Sequence, residues 1–195
     1  MSRQPKGKRV ADVCISVVLL ALITPLMLVP ALMIPLDSRG PVFYRQERVG
    51  LGGCRFNIIK LRTMSRDAEA AGPTLAVPGD PRITRIGRWL RRYHLDELPQ
   101  LWNVIRGEMA LIGPRPERPV YVERIIRQEP DYQRLFAVRP GITSPGMVNY
   151  GYASTIVQMI ERSRYDLRYL SEMSPGADMQ IMLRTIKTVF SGKGV

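Results

Sequence analysis

The sequence predicts a mostly α fold with one small β-hairpin (α+β), attached to an N-terminal membrane helix that bends and re-enters instead of crossing. Three observations predict it. Residues 13–36 are 24 consecutive uncharged residues interrupted by Pro25, Pro30 and Pro35; residues 41–49 and 54–64 mix β-branched, aromatic and polar residues around a Gly-rich turn; and most later segments carry apolar residues at helical spacing. With 195 residues, 45% of them hydrophobic, the chain has material for one core. The expected division is 1–38, a basic flank with the re-entrant helix, and 39–195, a cytoplasmic membrane-associated domain.

As a helix, the uncharged run would be about 36 Å long against a hydrocarbon core of about 30 Å, so it is long enough to span. Its flanks argue otherwise. Arg3, Lys6, Lys8 and Arg9 precede it and Arg39, Arg45 and Arg48 follow it, and positive flanks favour the cytoplasmic side at both ends. A helix–bend–helix meets that demand: each proline removes a helical N–H, and the bend is expected at Thr24-Pro25, where the Thr24 hydroxyl can relieve part of the cost of open backbone in lipid. A cleavable signal peptide is not expected, because the run is too long, Asp12 sits in the basic flank and no small-residue cleavage site follows.

Beyond the membrane segment, the two β-rich stretches around Gly50-Leu51-Gly52-Gly53 read as a hairpin. Residues 67–82, rich in Ala, Gly, Pro and charge, read as a surface loop. Helices are expected over 86–93, over 98–105 with a stop at Gly107, and over 120–128, 155–173 and 178–190. In the last of these, Met179, Met182, Leu183, Ile186, Val189 and Phe190 form one apolar side, which reads first as core packing and second as a face resting on a membrane interface.

The 29 Lys and Arg outnumber the 17 Asp and Glu, so a net charge of +12 points to phosphates as partners, whether of nucleotides, nucleic acids or anionic lipids. Two cysteines, Cys14 and Cys54, give no disulfide framework and no metal-binding spacing. The most informative acids are Asp96 and Glu97. Pro99 is tolerated only in the first turn of a helix, which puts both carboxylates at a helix N-terminus, where ordinary capping would explain them. Lys60 and Arg62 at the end of the hairpin, Arg91 and Arg92 one turn before the acids, and Arg115 between Pro114 and Pro116 would surround the pair with cations. A diphosphate and a divalent metal need such a setting: carboxylates are hard oxygen ligands for Mg²⁺, and an ionised Asp can attack phosphorus.

The Thr24-Pro25 break, GPVF at 40–43 with Arg45-Gln46, KLRTM at 60–64, LDELPQLWNVIRGEM at 95–109, LIGPRP at 111–116 and RPGIT at 139–143 occur in order. Together they resemble the bacterial sugar transferases, the small monotopic phosphoglycosyl transferases of the inner membrane's cytoplasmic face. The resemblance implies that residues 39–195 are a catalytic domain moving a sugar 1-phosphate from a UDP-sugar to polyprenyl (undecaprenyl) phosphate, with UMP released, as the first membrane step of a surface glycan. It implies a ping-pong course with Asp96 as nucleophile, Glu97 as Mg²⁺ ligand (Asp96 a second candidate), and Lys60, Arg62, Arg91 and Arg115 as phosphate or nucleotide contacts. The sequence departs from the family at two places. His94, the only histidine, stands where members often carry Ser; because the acceptor is already an anion, packing or orientation is expected of it, not general-base work. Residues 140–151 read PGITSPGMVNYG where many members have PGITG, Trp or Leu and a Gln-Val-Asn-Gly-Arg-like run, so the sugar is left open, as is a homodimer.

Two rivals remain. A non-catalytic basic membrane adaptor or nucleic-acid binder fits the charge but gives the acid pair no purpose, and the chain lacks an aromatic-and-basic stacking stretch; no nucleic-acid partner is expected. A metal-dependent hydrolase would use Glu97 and water.

Overall fold

The first helix, α1 (Lys6–Asp37), runs unbroken through all three prolines. A computed structural model of the chain describes residues 6–70, 72–77 and 79–192; Arg3 of the basic flank lies outside them. Thr24 and Pro25 keep the helical conformation, and two interactions support the backbone there. The Thr24 hydroxyl donates to the Leu20 carbonyl at 2.6 Å, within its own turn. One face of α1 also packs on the rest of the protein on both sides of that point, through Leu19, Leu20 and Ile23 before it and Met27 and Ile34 after it. Packing of this kind offsets the roughly 3 kcal/mol that a mid-helix proline costs. The opposite face is bare: Leu22, Leu26, Val29, Leu32 and Leu36 are each 60% exposed or more.

Both ends of α1 are fastened to the same body. At its start, Lys8 pairs with Asp178 at 2.5 Å, and the Arg9 guanidinium donates to the Val104 and Ile105 carbonyls at 2.7 and 3.2 Å, satisfying the end of another helix. At its finish, Asp37 accepts the Ile86 N–H at 2.8 Å, and the buried Arg62 donates to the carbonyls of Ser38, Arg39 and Gly40.

The expected hairpin is present as β1 (Phe43–Val49) and β2 (Arg55–Leu61), antiparallel, with Tyr44 opposite Lys60. The described residues of 65–82 contain no helix or ladder strand, and a single bridge outside them, Met64 to Ile83, draws the ends of the stretch together. Helices α2 (Arg85–Arg92), α3 (Gln100–Arg106) and α4 (Pro119–Gln128) fall where expected, and Gly107 ends α3 at a φ of 90°, a backbone region open to glycine.

Sequence periodicity missed a parallel pair, β3 (Ala110–Ile112) with β4 (Gly141–Thr143). Three residues are too few to display a period of two. This pairing brings the LIGPRP and RPGIT stretches together. The short α5 (Pro145–Asn149) precedes the long α6 (Ile156–Glu172) and α7 (Pro175–Phe190). In α7 the expectation of a packed apolar stripe fails: Ile181 is the buried position, flanked by Ala177 and Met182, while Met179, Leu183, Ile186 and Phe190 are exposed. The polar Thr185, bonded to the Ile181 carbonyl and to Thr143, takes part of the inner side, turning the apolar row outward.

Asn103, fully buried, joins hairpin and α3: its Oδ1 accepts from Ile59 N–H at 3.1 Å, and its Nδ2 donates to the Asn57 carbonyl at 2.8 Å and to Glu108 at 2.7 Å. It thereby occupies the free edge of β2, whose backbone groups would otherwise be unpaired. Replacing Asn103 by Leu strands those groups, and we expect a loss of about 2–4 kcal/mol. Thermal unfolding should then come roughly 5–15 °C earlier; an unchanged midpoint would show that the bridge is dispensable.

Candidate active site

The acid pair sits on a turn that the backbone has to contort to make. After α2, His94 adopts a left-handed conformation with φ of 55°, uncommon for a residue with a side chain, and the chain enters a 3-10 turn, Leu95–Glu97. Pro99 follows and α3 begins. Capping does not explain Asp96: no side chain caps either the turn or α3, and Asp96 is 6% exposed, facing a cavity.

That cavity has a volume of about 330 Å³. Near the acids it is lined by Lys60, Arg91, Arg115 and Tyr152, and further along by Tyr44, Arg48, Arg118, Tyr121 and Arg162. Asn103 fixes β2 against α3, and this sets Lys60 facing Glu97, with Nζ to Oε1 at 2.5 Å. Arg115 approaches the same oxygen at 3.7 Å. Its backbone is held by prolines on both sides and by its N–H, which donates to Asp166 at 3.1 Å. Arg91 donates through Nε to Thr63 at 2.8 Å and stays on the cavity wall. Of the residues singled out in the sequence, Lys60, Arg91, Arg115, Asp96 and Glu97 therefore converge. Arg62 lines the same cavity, but its guanidinium is engaged by three carbonyls past the end of α1, so it ties this long apolar helix to the site. Thr24 and Pro25 lie in the middle of α1, outside the cavity.

The two neighbouring acids differ in character. Burial raises the Asp96 carboxyl, and although Lys60 pulls it down, the adjacent Glu97 charge works with burial. Burial opposes ionisation of Glu97 too, but Lys60 and Arg115 outweigh it and hold that carboxyl well below the usual range. Lys60 is itself lowered, burial dominating over the attraction of the two acids. Among the described residues, no ion pair within 4.0 Å or hydrogen bond engages the Asp96 carboxylate. One acid is clamped as an anion by two cations; its neighbour faces the cavity with its oxygens free.

Four supporting residues escaped sequence reasoning. Glu117 lies next to the proline-bracketed arginine and accepts from Arg162 at 2.5 Å and Arg48 at 3.5 Å. Arg48 also donates to the Pro116 carbonyl at 2.9 Å, fastening the loop to β1. Asp166 accepts from both Gly146 N–H at 2.8 Å and Arg115 N–H. Their sequence surroundings mark none of these three charges as buried. Tyr152, just beyond the divergent 140–151 stretch, stacks parallel to His94 with ring centroids 6.0 Å apart, and its hydroxyl meets His94 Nδ1 at 3.2 Å. His94 thus orients a cavity-lining aromatic, as expected of a packing role.

A family model described as bacterial sugar transferase matches residues 3–192. A UDP-N-acetylgalactosamine-undecaprenyl-phosphate N-acetylgalactosaminephosphotransferase of Aeromonas hydrophila is 40% identical over 96% of this chain and 44% of its own length. A UDP-glucose:undecaprenyl-phosphate glucose-1-phosphate transferase of Caulobacter vibrioides is 41% identical over 94% of this chain and 70% of its own length. An exopolysaccharide production protein of Rhizobium leguminosarum bv. phaseoli is 36% identical over 96% of this chain and 97% of its own length. The chain therefore spans less than half of the first of these relatives and nearly all of the last.

Asp166 supplies a pH test of the support under Arg115. Burial, stronger than its two backbone N–H bonds, raises its carboxyl from 3.8 to about 6. A raised folded value means that the stabilising contribution is complete below the unfolded value and is lost as pH rises through about 6. The melting temperature of the native protein, taken relative to that of Asp166→Asn at each pH, should fall between pH 4 and pH 7; a difference that stays flat or climbs contradicts the assignment.

Proposed function

This chain belongs to the bacterial sugar transferase family, and from that premise we propose that it transfers a sugar 1-phosphate from a UDP-sugar to polyprenyl (undecaprenyl) phosphate, with Asp96 as nucleophile. The observation that carries the assignment of roles is the contrast within the acid pair: Glu97 is held by Lys60 and Arg115, and Asp96 is open to the cavity. An Asp96 carboxylate oxygen attacks the sugar-bearing phosphorus, the bond from that phosphorus to the bridging oxygen breaks, and UMP leaves with that oxygen and its electron pair. A phosphosugar is left on Asp96. An oxygen of the acceptor phosphate then attacks the same phosphorus, the acyl–phosphate bond breaks and the Asp96 carboxylate returns. No proton has to move in either half, so the reaction calls for no histidine base, and His94 Nδ1 meets the Tyr152 hydroxyl. Lys60, Arg91 and Arg115 are positioned to balance the charge of the diphosphate and of the oxygens that develop charge in flight. Arrival of the anionic substrate beside these cations leaves Asp96 ionised only if positive charge balances both, since burial alone favours its neutral form.

A divalent ion such as Mg²⁺ fits this donor set in one way. Among the described residues no three His, Cys, Asp or Glu side chains converge on a common point, so the acid pair would need oxygens from water or substrate to complete a metal's shell. Glu97 with Asp96 offers two hard carboxylates in one cavity, enough for an ion that keeps several waters and takes phosphate oxygens. Glu97 would hold it, exchanging Lys60 for the metal, and the ion would supply neutralisation of the diphosphate charge.

The proposal extends to topology: α1 enters one leaflet, its axis turns at Thr24-Pro25 and both of its ends stay cytoplasmic. Support comes from Lys8 and Arg9 at one end and Asp37 at the other, all fastened to the body that bears Asp96, whereas the ends of a span lie on opposite faces. The bare leucine face of α1 and the exposed apolar row of α7 are suited to lipid. The acceptor's phosphate lies at headgroup depth, where such a seating puts the cavity.

Asp96→Asn should release no UMP from any UDP-sugar offered with polyprenyl phosphate, and Glu97→Gln should lower the rate by about a hundredfold or more, the scale of losing a metal ligand's support; turnover by Asp96→Asn at the native rate would refute the nucleophile. A cysteine placed at Gly7 should react with impermeant reagents only from the cytoplasmic side; labelling from the outside would refute re-entry.

A further inference from the structure

Beyond the acid pair the cavity contains a second group of cations, and its members are not equivalent. Arg48 and Arg162 are both engaged by the buried Glu117. Arg118, on the cavity wall at the start of α4, has a different partner. Its Nη1 and Nη2 donate to the two carboxylate oxygens of Glu69 at 2.6 and 3.0 Å, a two-pronged fork, and its guanidinium lies over the Tyr121 ring, 5.8 Å from the centroid. Glu69 comes from the irregular 65–82 stretch, and its side chain is 30% exposed against 14% for Arg118. A planar guanidinium presents the same fork to a carboxylate and to a phosphate. The cavity is otherwise strongly cationic: eight Lys and Arg side chains line it against four carboxylates, Glu69 among them.

We propose that Arg118 is a second phosphate-binding point, for the nucleotide's own phosphate, and that Glu69 occupies it as an internal surrogate anion which the incoming nucleotide displaces. The inference rests on the UDP-sugar reading above and deepens it by naming where the part that leaves is held. Location selects the nucleotide over the lipid phosphate as the ligand. α1 packs against α2, α3 and β3, whereas α4 packs against β1 and α6, so Arg118 lies on the elements away from the membrane helix. Displacement of Glu69 also frees the 65–82 stretch from its tie to α4, so occupancy by nucleotide and the position of that stretch are linked.

The test measures equilibrium binding of UDP, without turnover, to the full-length protein and to Glu69→Gln, Glu69→Ala, Arg118→Gln and the Glu69→Gln/Arg118→Gln double variant, alongside the KM for polyprenyl phosphate. Removing a partly exposed internal competitor should tighten UDP binding about two- to fivefold in both Glu69 variants. Arg118→Gln should weaken it about tenfold, the scale of one charge-assisted contact, and the double variant should match Arg118→Gln because the competitor matters only while the arginine is present. The acceptor KM should not move. UDP affinity unchanged or weakened in the Glu69 variants overturns the inference and leaves the donor reading intact. A shift in acceptor KM with UDP binding unchanged overturns the nucleotide assignment in favour of the lipid phosphate. Failure of the unmodified protein to bind UDP overturns the donor reading and this inference together.

Discussion

Two carboxylates adjacent in sequence and withdrawn from water repel one another, and much of this molecule is arranged to give them different fates. Lys60 and Arg115 hold Glu97 as an anion, while Asp96 faces the cavity with its oxygens unengaged. Each cation is in turn fixed by something buried. Asn103 binds β2 to α3, so that Lys60 meets Glu97; Asp166 grips the Arg115 backbone; Glu117 gathers Arg48 and Arg162 and through them the loop that carries Arg115. Removing a partner from such a network leaves a buried charge uncompensated, which costs more than the pair contributes when intact. Under the proposed reaction this difference between neighbours is the functional point: one acid manages charge, the other makes and breaks the bond.

The membrane helix belongs to the same network. Arg62 lies at the cavity, yet its guanidinium closes on the carbonyls just past α1, and Asp37 at the end of α1 accepts from the first turn of α2, the helix that carries Arg91. The position of α1 and the geometry at the acids are therefore set by shared contacts. Gly87 illustrates how close the fit is: a Cβ there would lie 2.0 Å from the Thr63 carbonyl oxygen, and Thr63 is the residue that orients Arg91.

The hairpin and the helices after it were legible because each is long enough to show its period and is closed by glycine or proline; Gly107 and Pro99 marked their boundaries as expected. The acid pair and the arginine between prolines were legible as unusual chemistry, although it was the surrounding Lys and Arg and above all family resemblance that separated Asp96 from a cap. What escaped was the pairing between distant segments. Strands of three residues carry no pattern, so β3 and β4 were invisible, and nothing in the sequence set Glu117 and Asp166 apart from the other charges that the fold leaves outside. The prolines of α1 leave the helix continuous, because the Thr24 hydroxyl and packing along one face support the backbone around them. In α7 the apolar row was read correctly as a row and wrongly as core, because sequence alone does not say which side of a helix the rest of the protein covers.

The central claim is that Asp96 becomes covalently attached to the phosphosugar. The most direct measurement is the intact mass of the protein after incubation with a UDP-sugar and no acceptor, followed by peptide mapping. The account predicts a gain equal to one sugar phosphate less water, located on Asp96 and discharged when polyprenyl phosphate is added. UMP formed at full rate with no adduct on any residue, or an adduct that maps to Glu97, would contradict it.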